Sequence, residues 1–156
     1  MTRRGRILVA TIPAAVLLGG WVVAQSASGP TPLLAPYRDA GAVALGEEIY
    51  AANCAACHGA DLEGQADWRV RGPDGRMPGP PHDQTGHTWH HTDRQNFAMV
   101  KFGAEALVGN GYESDMSGYE DILSDDEILA VLAYIKSTWP ADIIAMHDEM
   151  NARVGN

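Results

Sequence analysis

The sequence is poor in cysteine. It has two, and both fall within the pentapeptide Cys54-Ala55-Ala56-Cys57-His58. A disulfide framework joining distant segments is therefore excluded. Basic residues are also scarce, with Lys+Arg 11 against Asp+Glu 20 and a formal net charge of −9. Three of the bases, Arg3, Arg4 and Arg6, precede a hydrophobic run, so the remainder is more acidic still. A surface of that sign repels phosphates, which rules out nucleic-acid binding. Strand patterns are nearly missing, and no segment recurs at a solenoid period. Hydrophobic residues at 46% and charged residues at 20% exclude a disordered or fibrous chain. A length of 156 residues suits one compact domain with a tail.

One long apolar stretch is present. Ile7 to Ala24 carries no charge and follows the basic flank Arg3-Arg4-Gly5-Arg6. That order places the residues after Ala24 outside the cytoplasm. At 1.5 Å per residue the run spans about 27 Å, just short of a hydrocarbon core of about 30 Å. Residues 1–24 therefore read either as a retained single-pass anchor, with Trp21 at the interface, or as a signal peptide cut near Ala24-Gln25-Ser26. The anchor is favoured by length. Residues 25–38, rich in Ser and Pro, read as an extended linker, and 39–152 as the folded domain.

Within that domain the pattern is helical. Asp39 is an N-cap for a helix over 40–53, where Val43, Gly46, Ile49, Tyr50 and Asn53 recur at helical spacing. Ser124-Asp125-Asp126-Glu127 is a capping box opening a helix over 125–138, with an apolar stripe of Ile128, Val131, Leu132 and Ile135. A middle helix over 93–103 and a peripheral last helix over 141–152 complete the set. Residues 59–91 and 103–123 are loops dense in Gly, Pro and Asp. So little regular structure leaves the middle to be filled by a large apolar ligand.

Cys54-Ala55-Ala56-Cys57-His58 names that ligand. Cys-x-x-Cys-His is the attachment signature of a c-type haem. Two thiols on one turn can each add to a vinyl group, giving two thioethers, and the adjacent His58 offers a ring nitrogen to the iron. A redox-active thiol pair would want a strand and a βαβ unit around it, and a zinc site would want a second pair of ligands. Neither is visible.

The run Gly46-x-x-x-Tyr50-x-x-Asn53-Cys54-Ala55-Ala56-Cys57-His58-Gly59 resembles the opening of a class I monohaem cytochrome c. Asp115-Met116-Ser117-Gly118-Tyr119, Leu123 to Glu127 and Val131 to Lys136 resemble its end. The resemblance covers roughly 39–140, and it departs in a longer Pro- and His-rich loop after His58. It implies a mainly α fold: one class I cytochrome c domain of three to four helices wrapped round one haem c, preceded by the N-terminal transmembrane or signal helix.

The resemblance also implies a methionine as sixth ligand. Met116, in a loop just before the capped helix, occupies the family position, and Met77 is the alternative. The expected iron ligands are His58 and Met116, and the haem-binding residues are Cys54, Cys57, His58 and Met116. His/Met ligation raises the potential and leaves no open coordination site, so the expected activity is electron carriage rather than catalysis. Gly46 and Tyr50 are expected against Val131 and Tyr134, and Pro80 or Pro81 is a candidate to hold the second nitrogen of His58. His82, His87, His90 and His91 read as a polar loop over the haem edge with Trp89 on the porphyrin, with copper or zinc binding as the alternative. The implied partners are a quinol-oxidising complex and a terminal oxidase or periplasmic reductase, at the outer side of a bacterial inner membrane. Competing readings are a haem enzyme or a gas or peroxide sensor with a displaceable sixth ligand, and a metal-handling module built on the histidines.

Overall fold

A computed structural model describes residues 33–154. The apolar run 1–24 and residues 25–32 of the expected linker lie outside the described residues. Among the described residues no helix is long and apolar enough to cross a membrane.

Three of the four longer helices start where a side chain satisfies free backbone amides of the first turn. Helix α1, Ala40–Asn53, is capped by Asp39, whose Oδ1 accepts from the amides of Gly41 and Ala42 at 2.8 and 3.0 Å. Two further elements lie between α1 and the next long helix: α2, Ala55–His58, and a single 3₁₀ turn at Thr88–His90 within the histidine-rich loop. Helix α3, Asp93–Phe102, opens on a Thr92/Gln95 capping box. Gly103, at φ +80°, separates it from α4, Ala104–Val108. Helix α5, Asp125–Ser137, opens on the Ser124/Glu127 box, and α6, Ala141–Val154, follows Pro140. The fold is mainly α. The short pieces α2 and α4 and the 3₁₀ turn are additions to the expected set, since three to five residues are too few to show a period.

The core forms where α1 crosses α5. Gly46 makes the crossing possible: a Cβ there would stand 1.9 Å from the carbonyl oxygen of Ala130 and 3.0 Å from Cβ of Tyr134. One turn on, Tyr50 is buried and its ring lies 5.5 Å from that of Tyr134. Ile128, Val131, Leu132 and Ile135 present the expected stripe to Ile49, Phe97 and Trp139.

Two features differ from the expected layout. Leu33 to Arg38 fall within the stretch read as linker, yet Ala35 is buried and Leu33 and Tyr37 pack on the core. Helix α6 is not peripheral: a buried polar network fastens it. Asn151 accepts from the Asp93 amide at 2.8 Å and donates to Asp93 Oδ2 at 3.0 Å. The same Oδ2 accepts from the Ala35 amide at 3.2 Å and lies 3.7 Å from the Lys136 ammonium. Lys136 also bonds Asp148 at 2.6 Å, and Asp148 in turn accepts from the Tyr37 hydroxyl at 2.7 Å. A buried cation is tolerated because two carboxylates compensate it.

His147 completes this network as a neutral ring. Its Nε2 donates to the His91 carbonyl at 2.9 Å, and its Nδ1 faces the Asn151 amide nitrogen at 3.3 Å as an acceptor. A second proton on Nδ1 would oppose that donor. Burial and the Lys136 charge accordingly push its pKa below the usual imidazole range, against the pull of Asp93, the His91 carbonyl and Asp148. An unfolded chain takes up this proton near pH 6.5 while the folded one resists. Folding stability should therefore fall as the pH drops below about 6.5. At Asp148 burial opposes the charge, but the hydrogen bonds from Lys136 and Tyr37 outweigh it and hold the carboxyl below its ordinary value. Its contribution is lost only at lower pH. Urea midpoints measured on the holoprotein between pH 7.5 and 5 should decline, and the decline should shrink in His147→Gln. An equal decline in that variant would remove His147 from the account.

Candidate functional site

The site begins at the end of α1. Cys54 caps that helix, its amide donating to the Tyr50 carbonyl at 2.8 Å. The chain then makes the single turn α2, in which the amides of Cys57 and His58 both reach the Cys54 carbonyl, at 3.1 and 2.9 Å. Both cysteines are free thiols, Cys54 half-buried and Cys57 exposed. Burial, followed by the neighbouring Cys57, pushes the Cys54 thiol up to about 11. A redox-active Cys-x-x-Cys needs a depressed pKa on its first cysteine, and a helix rather than a strand precedes this pair. The geometry thus argues against a disulfide exchange site.

His58 is buried, and its Nδ1 donates to the Pro80 carbonyl at 2.8 Å. A carbonyl can only accept, so this bond fixes the tautomer and leaves Nε2 with its lone pair for a metal. Burial lowers the His58 pKa, partly offset by the Pro80 bond, which keeps the ring in its ligating form. Of the two prolines considered, Pro80 takes the role. The run carrying it lies hard against α2: a Cβ on Gly79 would stand 2.3 Å from the Cys57 carbonyl oxygen. Met77, the alternative axial methionine, belongs to this run.

Met116 lies elsewhere, in the loop between α4 and α5, half-buried. Its carbonyl accepts from the Ala104 amide at 3.0 Å and its amide donates to Ser114 Oγ at 3.1 Å. A β-bridge between Gly103 and Ser117 and an ion pair between Arg76 and Asp115 hold the loop on either side. The hydroxyl of Tyr119 donates to the Asn53 carbonyl at 2.8 Å, tying the loop to the residue before Cys54. That link between the two motifs has no signal in the sequence.

The histidine-rich loop does not gather its four imidazoles at one point, and of these only His87 and His91 meet, edge-on with centroids 5.5 Å apart. His82 stacks on His58 with ring centroids 4.1 Å apart, His87 stacks on Trp68 at 5.3 Å, and His90 stacks on Trp89 at 3.6 Å. Among the described residues no three His, Cys, Asp or Glu side chains converge as a metal centre would require. Burial pushes the pKa of His82 well below the usual range, so it too is a neutral ring.

The residues present fit a covalently held haem. Two free thiols share one helical turn, and an imidazole beside them has one nitrogen bonded and the other available. The Trp89 indole N–H is the one buried side-chain polar atom without a partner among the described residues. Such a donor suits a carboxylate of the kind haem carries.

Residues 43–139 match the cytochrome c family. The structure is similar to the crystal structure of cytochrome cL from the marine methylotrophic bacterium Methylophaga aminisulfidivorans. That similarity has a TM-score of 0.51 and 25% sequence identity, over 74% of this chain and 67% of the other. No curated protein matches the chain.

Proposed function

The chain belongs to the cytochrome c family, and from that premise we propose that it carries single electrons with His58 and Met116 as axial ligands, at the outer side of a bacterial inner membrane. Family membership supplies the covalently bound c-type haem, and Cys54 and Cys57 have the spacing that holds it. When bound, the haem provides a one-electron iron couple. The observation that carries the reading is the His58 Nδ1–Pro80 bond, which commits one ring nitrogen and presents the other.

The chain's own residues do the rest. Cys54 and Cys57 fix the group to α2, His58 orients on Pro80, and the Gly103–Ser117 bridge positions Met116. Met116 would supply a soft thioether, a ligand type that favours the reduced iron. The proposed partners are a quinol-oxidising complex as donor and a terminal oxidase or periplasmic reductase as acceptor. Their docking sites should be basic, because the stretch from Glu105 to Glu127 around Met116 has eight acidic residues and no basic one. The export of residues after Ala24 rests on the basic flank and apolar run of the N-terminus.

Mass spectrometry of protein made alongside the haem-attachment machinery tests this reading. The expected result is one haem retained after denaturation, and its loss in the double variant Cys54→Ala/Cys57→Ala. Colourless protein would overturn the proposal. A high-spin ferric form whose reduced state binds carbon monoxide would support the haem enzyme or sensor instead.

A further inference from the structure

The His58 ring is held on more than its edge. Its Nδ1 bond to Pro80 pins one atom, but a single hydrogen bond leaves the ring free to rock about the line through that bond. The face of the ring is covered by a second imidazole. His82 lies over it with centroids 4.1 Å apart and planes inclined by 27°.

His82 is itself fixed from several directions. Its Nδ1 is hydrogen-bonded with Thr88 Oγ1 at 2.7 Å, and Thr88 is buried. Its amide donates to the Leu62 carbonyl at 2.8 Å, and its carbonyl accepts from Trp139 Nε1 at 2.8 Å. The Tyr50 ring meets it edge-on, with centroids 6.1 Å apart and planes at 74°. Backbone, side chain and ring faces are all engaged, so His82 is a rigid plate rather than a mobile surface side chain.

We propose that His82 is a positioning residue that sets the rotational orientation of the His58 imidazole by stacking on it, with Thr88 as the bolt that holds the plate. The proposal rests on His58 ligating haem iron, as proposed above. The His82 ring lies against the face of His58 as a stacking partner, with its Nδ1 tied to Thr88. A flat ring against the ligand's face leaves one plane available; a branched aliphatic side chain would leave several. Orientation matters because the plane of an axial imidazole sets the magnetic axes of low-spin ferric haem and its overlap with the iron orbitals.

The test compares His82→Phe, His82→Leu and Thr88→Val as holoproteins. His82→Phe keeps a flat ring, His82→Leu removes it, and Thr88→Val keeps the shape but frees the bolt. Electron paramagnetic resonance and the spread of haem-methyl proton shifts in the oxidised protein report the ring plane directly. Wild type and His82→Phe are expected to give one closely similar pattern. In His82→Leu and Thr88→Val the pattern should shift or split into more than one orientation, while the mass still shows covalent haem. Patterns unchanged from wild type in Thr88→Val, or in a His82→Leu that retains haem, would overturn the proposal. Should His82→Leu not retain haem, Thr88→Val decides alone. Absence of covalent haem in the wild type is a different failure, that of the haem assignment itself.

Discussion

Met116→Ala is expected to convert the ferric iron from low to high spin while the haem stays attached. The weak sulfur-to-iron absorption should vanish, the reduction potential should fall, and carbon monoxide should now bind the reduced form. The size of the change follows from how little else the substitution touches. Met116 is placed by its backbone, through the Ala104 amide, Ser114 Oγ and the bridge from Ser117 to Gly103. Alanine preserves each of these bonds. What goes is the thioether, and with it the ligand that favours the reduced state. Absorption and magnetic circular dichroism spectra of the purified variant check the result. Spectra identical to wild type would hand the sixth position to Met77, although Met77 shares its run with Pro80, which bonds His58.

The second large effect is structural. In an isolated helix, Gly46→Ala would add about 1 kcal/mol of stability through propensity alone. Here the new methyl would stand 1.9 Å from the Ala130 carbonyl oxygen and 2.5 Å from its carbonyl carbon. Those are backbone atoms of α5, which cannot rotate aside. The two helices must separate where the core is tightest, and overpacking of that kind costs about 3 kcal/mol or more. For a domain of this size the loss corresponds to a fall in Tm of roughly 10–15 °C. Thermal unfolding followed by circular dichroism, on variant and wild type carrying equal haem, measures it. A variant as stable as wild type would mean that α1 and α5 do not cross at Gly46.

How much of this was legible in the sequence depends on the range of the interactions involved. The four longer helices announce themselves locally: Asp39, Thr92 and Ser124 each precede an apolar period, and Pro140 precedes α6. Cys54, Cys57 and His58 are legible for the same reason, since one turn of helix contains them all. The choice between Pro80 and Pro81 is not, because 22 residues of irregular chain separate Pro80 from His58. The stack of His82 on His58 is hidden more deeply, for a histidine in a polar loop looks like solvent-facing decoration. The role of α6 is hidden on similar grounds. Asp93, Lys136, His147 and Asn151 each look like exposed helix residues until the fold joins them across a separation of 58 positions between Asp93 and Asn151.

The carboxylate of Asp93 receives both the Ala35 amide and the Asn151 side chain. Among the described residues, the first and last stretches of the domain are thus moored at one post. A fluorescent reporter grafted directly at residue 33 or residue 154 would sit close to that post. Splicing residue 154 to residue 33 with a short bridge, and reopening the chain in an exposed loop, should preserve the architecture.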